Sequence, residues 1–292
     1  MDAVIDIGSN SVRLTLDRGE AVNRKQVNVT GLGEGLANTG RLSDEPKART
    51  KAAIVEYVDL ARKENAEHIY IFATEAVRSA ANGDEFRAEV EKAVSMPVHV
   101  ISGNTEAKLG FLGAADAGTG IGEITVIDIG GASVEIIRGD RRKFTYMKSL
   151  PIGILRIRDT VGDDRYAVEK YINRRITEFG FVSGIEGIAI GGTPTSLAAM
   201  DLRQTVYDAT AVHGHVLTKR AIDNLIEEIY SSHDVRKDFP TLSEKRAQVI
   251  GHEAIMLRSL IEYLGLENGV TVSEHDNVEG FLYCMRNGIK IE

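Results

Sequence analysis

Two short stretches carry the residue types that phosphate chemistry needs. Residues 5–12 read IDIGSNSV and residues 127–134 read IDIGGASV, so six of eight positions are identical. Each begins as an apolar run holding one acid, Asp6 or Asp128, breaks into small residues, and resumes as VRLTL or VEIIR. That pattern predicts a strand, tight loop, strand hairpin in both places. Glycine lets the main chain approach a ligand and turn its N–H groups onto it. Ser9, Asn10 and Ser11 in one loop, and Ser133 beside Gly130, Gly131 and Ala132 in the other, add short donors or room, which suits phosphate oxygens. An aspartate two residues before the loop can hold a cation against those oxygens. A single Gly-Ser turn usually does no more than close a hairpin. Two copies with the same acid point to ligand binding and to an internally duplicated chain.

The other candidates are weaker when taken alone. Thr193, in IAIGGTPTSLAA, fits either a phosphate contact or a helix N-terminus. Glu106 falls in the first turn of a predicted helix, where any glutamate is favoured by the helix dipole. Arg78 by itself reads as a surface ion-pair partner. His213 and His215 lack carboxylate or cysteine partners at ligand spacing, so no metal site is expected there. His252-Glu253 does not open an HExxH motif, because Met256 stands where the second histidine belongs, and it is expected on a helix surface. The basic run Arg141-Arg142-Lys143 reads as a solvated turn.

The elements that must position these residues follow from periodicity. The first half reads βββαβαβα, with strands at VIDIG, SVRLTL, KQVNVT, HIYIFA and VHVIS. Its helices run from about Pro46 to Lys63, after Asn82, and from Thr105 to Ala115. The second half opens with strands at ITVID, SVEII and KFTYM. It continues through helices at ILRIRD and YAVEKYINRRI to the strand-loop-helix around Thr193. Two amphipathic helices follow, at AIDNLIEEIY and KRAQVIGHEAIMLRSLIEYL, then a strand at GVTVS and a closing helix at VEGFLYCM. The fold class is therefore α/β, with two similar halves. Such sheets bind ligands at strand ends, so both loops are expected to face a cleft.

Length and composition set the remaining bounds. At 292 residues the chain exceeds the size at which one core usually keeps growing. Two domains are expected, residues 1–120 with the first loop and residues 121–292 with the second, hinged at residues 118–122. The last helix, about 277–287, is a candidate to pack back on the first lobe. A net charge of -8 argues against nucleic-acid binding but leaves room for a local basic groove and a polyanionic substrate. Cys284, the single cysteine, rules out an internal disulfide and reads as a small core residue. A strand expected from Asp2 leaves no room for a signal peptide, and no apolar run approaches the length of a membrane span. A cytoplasmic protein without membrane contact is expected.

In order along the chain, DIGSNSVRL (6–14), GLGEGL (31–36), ATEAVRSAANGDEF (73–86), ISGNTEAKL (101–109), DIGGASVE (128–135), SLPIG (149–153) and GGTPTSLA (191–198) form a specific series. With these motifs the chain resembles the exopolyphosphatase and guanosine pentaphosphate phosphohydrolase family, Ppx/GppA, within the superfamily of actin, sugar kinases and heat-shock chaperone ATPases. The resemblance implies two ribonuclease H-like (actin-like ATPase) domains with an interdomain cleft. It also implies hydrolytic release of terminal orthophosphate from polyphosphate or guanosine pentaphosphate, with Mg2+, by a protein that is usually a homodimer. On this resemblance Glu106 takes the catalytic carboxylate position. Arg78, Ser9, Asn10, Ser11, Gly130, Gly131, Ala132, Ser133 and Thr193 bind phosphate, and Asp128, Glu135 and Asp6 serve the metal. The chemistry is consistent: phosphoanhydride hydrolysis needs a positioned water and cationic or N–H partners for the phosphoryl oxygens.

The match has departures. The family's second loop usually reads DIGGGSTE, so Ala132 replaces a glycine and Val134 a threonine. If position 132 needs a positive φ, alanine strains the loop by roughly 1 kcal/mol. Near the C-terminus Val278 stands where the family has an arginine, and Gln248 where it has an acid. The chain resembles a short, two-domain form, for which short polyphosphates or the 5′ phosphate of guanosine pentaphosphate are the expected substrates. Two alternatives stand beside this reading: an ATP-dependent kinase or ATPase of the same superfamily, and a non-catalytic phosphate-ligand sensor.

Overall fold

A computed structural model of the protein describes residues 1–19, 25–117, 122–140 and 143–291. Residues 118–121 of the expected hinge, and Arg141 and Arg142 of the basic run, lie outside the described residues. The chain divides into two compact units, Met1–Glu106 and Ala107–Ile291.

The first unit runs β1 (Asp2–Ile7), β2 (Ser11–Asp17), β3 (Lys25–Val29), α1 (Leu36–Thr39), α2 (Asp44–Lys63), β4 (His68–Ala73), α3 (Glu75–Ser79), α4 (Gly83–Val94) and β5 (His99–Val100), then enters α5 (Gly103–Ala117). Its sheet has the order β3-β2-β1-β4-β5, antiparallel through β3, β2 and β1 and parallel from β1 to β5. β1 is central and buried from Ala3 to Ile7, which explains its nearly continuous apolar run. α2 covers the sheet with a helical-period stripe of Ala53, Ile54, Tyr57, Val58 and Ala61. Asp44 and Glu45 in its first turn, and Arg62 and Lys63 in its last, complement the helix dipole.

The second unit takes the rest of α5 and continues β6 (Ile124–Ile129), β7 (Val134–Gly139), β8 (Phe144–Leu150), α6 (Ile154–Val161), α7 (Arg165–Ile176), β9 (Gly187–Ile190), α8 (Gly192–Asp201), α9 (Ala209–Val212), β10 (Val216–Leu217), α10 (Lys219–Ser231), α11 (Val235–Asp238), α12 (Glu244–Ala247), α13 (Ile250–Leu264), β11 (Val270–Ser273) and α14 (Asn277–Arg286). Its sheet order, β10-β11-β9-β6-β7-β8, repeats the first sheet with β6 in the place of β1 and one added edge strand. Each unit is thus a ribonuclease H-like α/β domain, as the family resemblance implied. α5 anchors to the second sheet through Ala107, Phe111 and Ala114, which pack with Ile124, Val126, Ile137, Ile188 and Ile190. Phe111 meets Phe144 edge-on at 5.0 Å. α14 crosses α5 at van der Waals distance, because a Cβ on Gly280 would collide with the Leu109 carbonyl.

One expectation is overturned here. His252 and Glu253 are not on a helix surface: both are buried, at 3% and 2% exposure. α13 packs against α7, α8 and α10, so it is enclosed on nearly every side rather than half-exposed. His252 Nε2 bonds the Gly162 carbonyl at 2.9 Å, and Glu253 pairs with Arg246. The long helical pattern also breaks at Gln248 and Val249 into α12 and α13.

Candidate active site

Both loops are tight turns of the same construction. Gly8 N–H donates to the Ser11 carbonyl at 3.0 Å, and Gly130 N–H to the Ser133 carbonyl at 2.9 Å. The strand pairs that carry them match: Ile7 faces Val12 and Asp6 faces Arg13 in one, Ile129 faces Val134 and Asp128 faces Glu135 in the other.

Each turn is braced from behind through its carbonyls. In the first, Gly33 and Gly31 of the GLGEGL segment donate to the carbonyls of Ser9 (2.8 Å) and Asn10 (2.9 Å). In the second, the start of α6 does the same work. Gly153 N–H reaches the Ala132 carbonyl at 3.0 Å, Ile154 N–H that of Gly130 at 3.1 Å and Leu155 N–H that of Gly131 at 2.7 Å. A trans peptide is planar, so a carbonyl pulled to the rear turns the next N–H to the front. The forward N–H groups are those of Asn10 in one loop and of Gly131, Ala132 and Ser133 in the other. Among the described residues, none of the last three donates to a protein acceptor. Such a run of convergent N–H groups is an anion cradle.

Gly153 is required by close approach, not by its backbone angles, since its φ is an ordinary -66°. A Cβ there would collide with the main chain of Ala132 and Ser133, which has no flexible end to move. Gly153→Ala is therefore expected to cost about 2 kcal/mol, the usual scale of overpacking. A melting experiment checks it: Tm should fall by roughly 5 °C for a chain of this size, and an unchanged Tm would show that the brace yields.

The acids beneath the two turns differ in their partners. Asp6, with a buried side chain, is ion-paired to Arg13, whose Nε lies 2.9 Å from Oδ2. At the matching place in the second loop stands Glu135, so Asp128 faces another acid across the strand pair. Glu135 is buried and accepts from the Ser149 hydroxyl at 2.5 Å. Like charges directly opposite one another are unfavourable unless a cation or donors compensate. Among the described residues no cluster of three or more His, Cys, Asp or Glu side chains could hold a metal. Two acids completed by neutral oxygens fit a hard divalent ion that keeps several waters or phosphate oxygens.

Arg78 and Glu106, assigned separately from their motifs, are bonded to each other. Arg78 Nη1 and Nη2 lie 3.2 and 3.3 Å from Glu106 Oε2. The same guanidinium bonds the Glu75 carboxylate through Nε at 3.1 Å and the Ile101 carbonyl through Nη1 at 2.5 Å. Glu106 is 7% exposed in the first turn of α5, its N–H on the Ser102 carbonyl at 2.9 Å. A planar five-donor fork can serve two carboxylates at once, which an ammonium could not do with the same geometry.

Several other expectations meet the structure. Ala132 does not have a positive φ, so the anticipated strain is absent, and its methyl group is buried. Val134 is fully buried, in the core rather than in the loop. Thr193 is buried and its hydroxyl bonds the Ile129 carbonyl at 3.3 Å, tying the third glycine loop to the end of β6. Gly191 in that loop has φ +88°, and a Cβ on it would lie 3.0 Å from Asp128 Oδ1. Tyr207, beside the same loop through Thr195, donates its hydroxyl to Glu274. Burial raises the Cys284 thiol, which marks it as inert core.

Sequence reasoning missed the partners of these groups. Glu75 sits inside a quoted motif but has no signal of its own. Arg156 Nε bonds the Ala132 carbonyl at 3.3 Å, and only its place just after SLPIG hints at this.

A profile of the Ppx/GppA phosphatase family matches residues 17–287. Exopolyphosphatase 2 of Mycobacterium tuberculosis (strain CDC 1551 / Oshkosh) is 30% identical over 310 residues, covering 95% of this chain and 96% of its own. The guanosine-5'-triphosphate,3'-diphosphate pyrophosphatase of Pseudoalteromonas translucida (strain TAC 125) is 35% identical over 156 residues, 52% of this chain and 31% of its own. The crystal structure of the Aquifex aeolicus Ppx/GppA family member superposes with a TM-score of 0.80 at 29% identity, covering 98% of this chain and 97% of that one. The chain belongs to the Ppx/GppA phosphatase family.

Proposed function

We propose that this phosphohydrolase releases terminal orthophosphate from polyphosphate, from the 5′ end of guanosine pentaphosphate, or from both. Glu106 orients the attacking water and accepts its proton. Arg78 and the forward N–H groups of Asn10, Gly131, Ala132 and Ser133 hold the phosphoryl oxygens, with the hydroxyls of Ser9, Ser11 and Ser133 as further donors. Asp128 and Glu135 hold a divalent cation, Mg2+ by preference, while Asp6 is committed to Arg13 and supports its loop. When bound, the cation supplies charge neutralisation to the phosphate chain.

The observation that carries this reading is the Arg78–Glu106 pair, which sets a carboxylate able to orient water beside a guanidinium able to hold a phosphoryl oxygen. Cytoplasmic location and assembly as a homodimer belong to the same proposal. Among the described residues no helix is long and apolar enough to cross a membrane.

Orthophosphate release from polyphosphates of several lengths and from guanosine pentaphosphate tests it. Release is expected with Mg2+ and is expected to stop in EDTA. Transfer from ATP to an acceptor, with no release from polyphosphate, would establish the kinase alternative. Tight binding without turnover would establish the sensor.

A further inference from the structure

Arg49, on the second turn of α2, reaches the segment that braces the first turn. Its Nε and Nη2 donate to the Thr30 carbonyl at 3.1 and 3.0 Å, and Nη2 also donates to the Glu34 carboxylate at 3.0 Å. A further bond, from Nη1 to Glu45 at 2.7 Å, lies on the helix surface, where an ion pair contributes little. The contact with Thr30 is of another kind. Thr30 is buried, and its hydroxyl accepts from the buried Thr50 hydroxyl at 2.9 Å.

The Thr30 carbonyl and the Gly31 N–H belong to one peptide bond, and among the described residues no peptide is cis. A trans peptide is planar, with its C=O and N–H opposed. Holding the Thr30 carbonyl at Arg49 therefore aims the Gly31 N–H the other way, onto the Asn10 carbonyl 2.9 Å off. Gly33 N–H then meets the Ser9 carbonyl. The rest of the segment supplies little direction. It follows β3, an edge strand none of whose residues is buried, and Leu32 enters the core through apolar contacts, which are not directional.

Resting on the reading that the first turn holds phosphate, we propose that Arg49 is a positioning residue for that turn. Through the Thr30–Gly31 peptide it sets the direction of the Asn10 backbone, and with it the N–H that meets the substrate.

The test is steady-state orthophosphate release from polyphosphate by the purified full chain, with Tm measured on the same preparations. Arg49→Ala should raise KM about tenfold and change kcat less than KM, short of the roughly hundredfold cost of a full ångström of misplacement. Arg49→Lys keeps the charge and a donor beside Thr30 and Glu34, and should recover part of the lost KM. Glu45→Ala removes only the exposed pair and should leave KM and kcat as in wild type. An equal rise in KM for Glu45→Ala would trace the effect to helix charge and overturn the proposal. An arginine that merely stabilises the fold would, when replaced by alanine, lower Tm and reduce kcat through a smaller folded fraction. KM would then stay at its wild-type value, and that result would also overturn the proposal. Gly8→Ala separates the two levels, because its Cβ would stand 3.0 Å from the Ser11 carbonyl inside the turn itself. If Gly8→Ala and a Ser9→Ala/Ser11→Ala double variant both keep wild-type kinetics, the first turn does not hold phosphate and the underlying reading fails. If they are impaired while Arg49→Ala is not, only the role of Arg49 fails.

Discussion

Replacing Glu106 with glutamine is expected to lower kcat about a thousandfold, within the range general-base groups contribute, while leaving substrate affinity unchanged or slightly improved. Glutamine keeps the size of the side chain and an oxygen for Arg78 to bond, so the local fold should persist. It loses the ability to take a proton from water. It also removes a negative charge from beside a guanidinium that is to meet an anionic substrate, so KM should not rise. Orthophosphate release and substrate titration on the same preparation check both halves. Equal turnover in Glu106→Gln and wild type would remove Glu106 from the mechanism. A thousandfold rise in KM at unchanged kcat would make it a binding residue instead.

Arg78→Ala should be nearly as damaging, but in a different pattern. Its guanidinium is proposed to touch phosphoryl charge in the ground state and more strongly in the transition state. Both KM and kcat should therefore suffer, with kcat/KM down by about a hundredfold or more, as when one oxyanion donor is removed. The variant should also be less stable. Arg78 is the cation between Glu75 and Glu106, whose side chains are 15% and 9% exposed. Without it two largely buried carboxylates face each other, at a cost of about 2 kcal/mol, less than for a fully buried pair. Arg78→Lys should recover part of the stability and little of the turnover, since a point charge cannot fork across two carboxylates. A normal turnover number for Arg78→Ala would show that its assignment is wrong.

The two variants test a pairing that chain reading cannot reach. Glu106 and Arg78 lie in separate motifs, each legible as local structure: a glutamate at a helix start and an arginine near a helix end. Their bond forms because β4 and β5 are parallel neighbours, which brings α3 and the start of α5 to the same end of the sheet. Parallel pairing is non-local, and no short-range pattern encodes it. The same holds for the carbonyl brace. GLGEGL and SLPIG stand out as motifs, yet their shared task of pulling loop carbonyls rearward appears only when they are folded against the turns.

The hairpins themselves were legible because everything that makes them is local: an apolar run, an acid, small residues and a resumed strand within eight positions. The short helices α1 and α3 were not, since four or five residues hold too little periodicity to register. His252 and Glu253 were misplaced for a related reason. A polar pair on a helix reads as a surface pair until the neighbouring helices are known, and here Arg246 and the Gly162 carbonyl satisfy both groups in the interior.

By itself, then, the chain's alternation and repetition determined the α/β duplication, the two turns and the acids beneath them, because strand period and turn chemistry act over a few residues. Tertiary structure alone decided how these pieces meet. Arg78 joins Glu75 and Glu106, and the GLGEGL and SLPIG segments each brace their own turn from behind. Those choices depend on strand order and helix placement, and therefore on contacts between residues far apart in the chain. Charge compensation in a buried site is settled by such contacts.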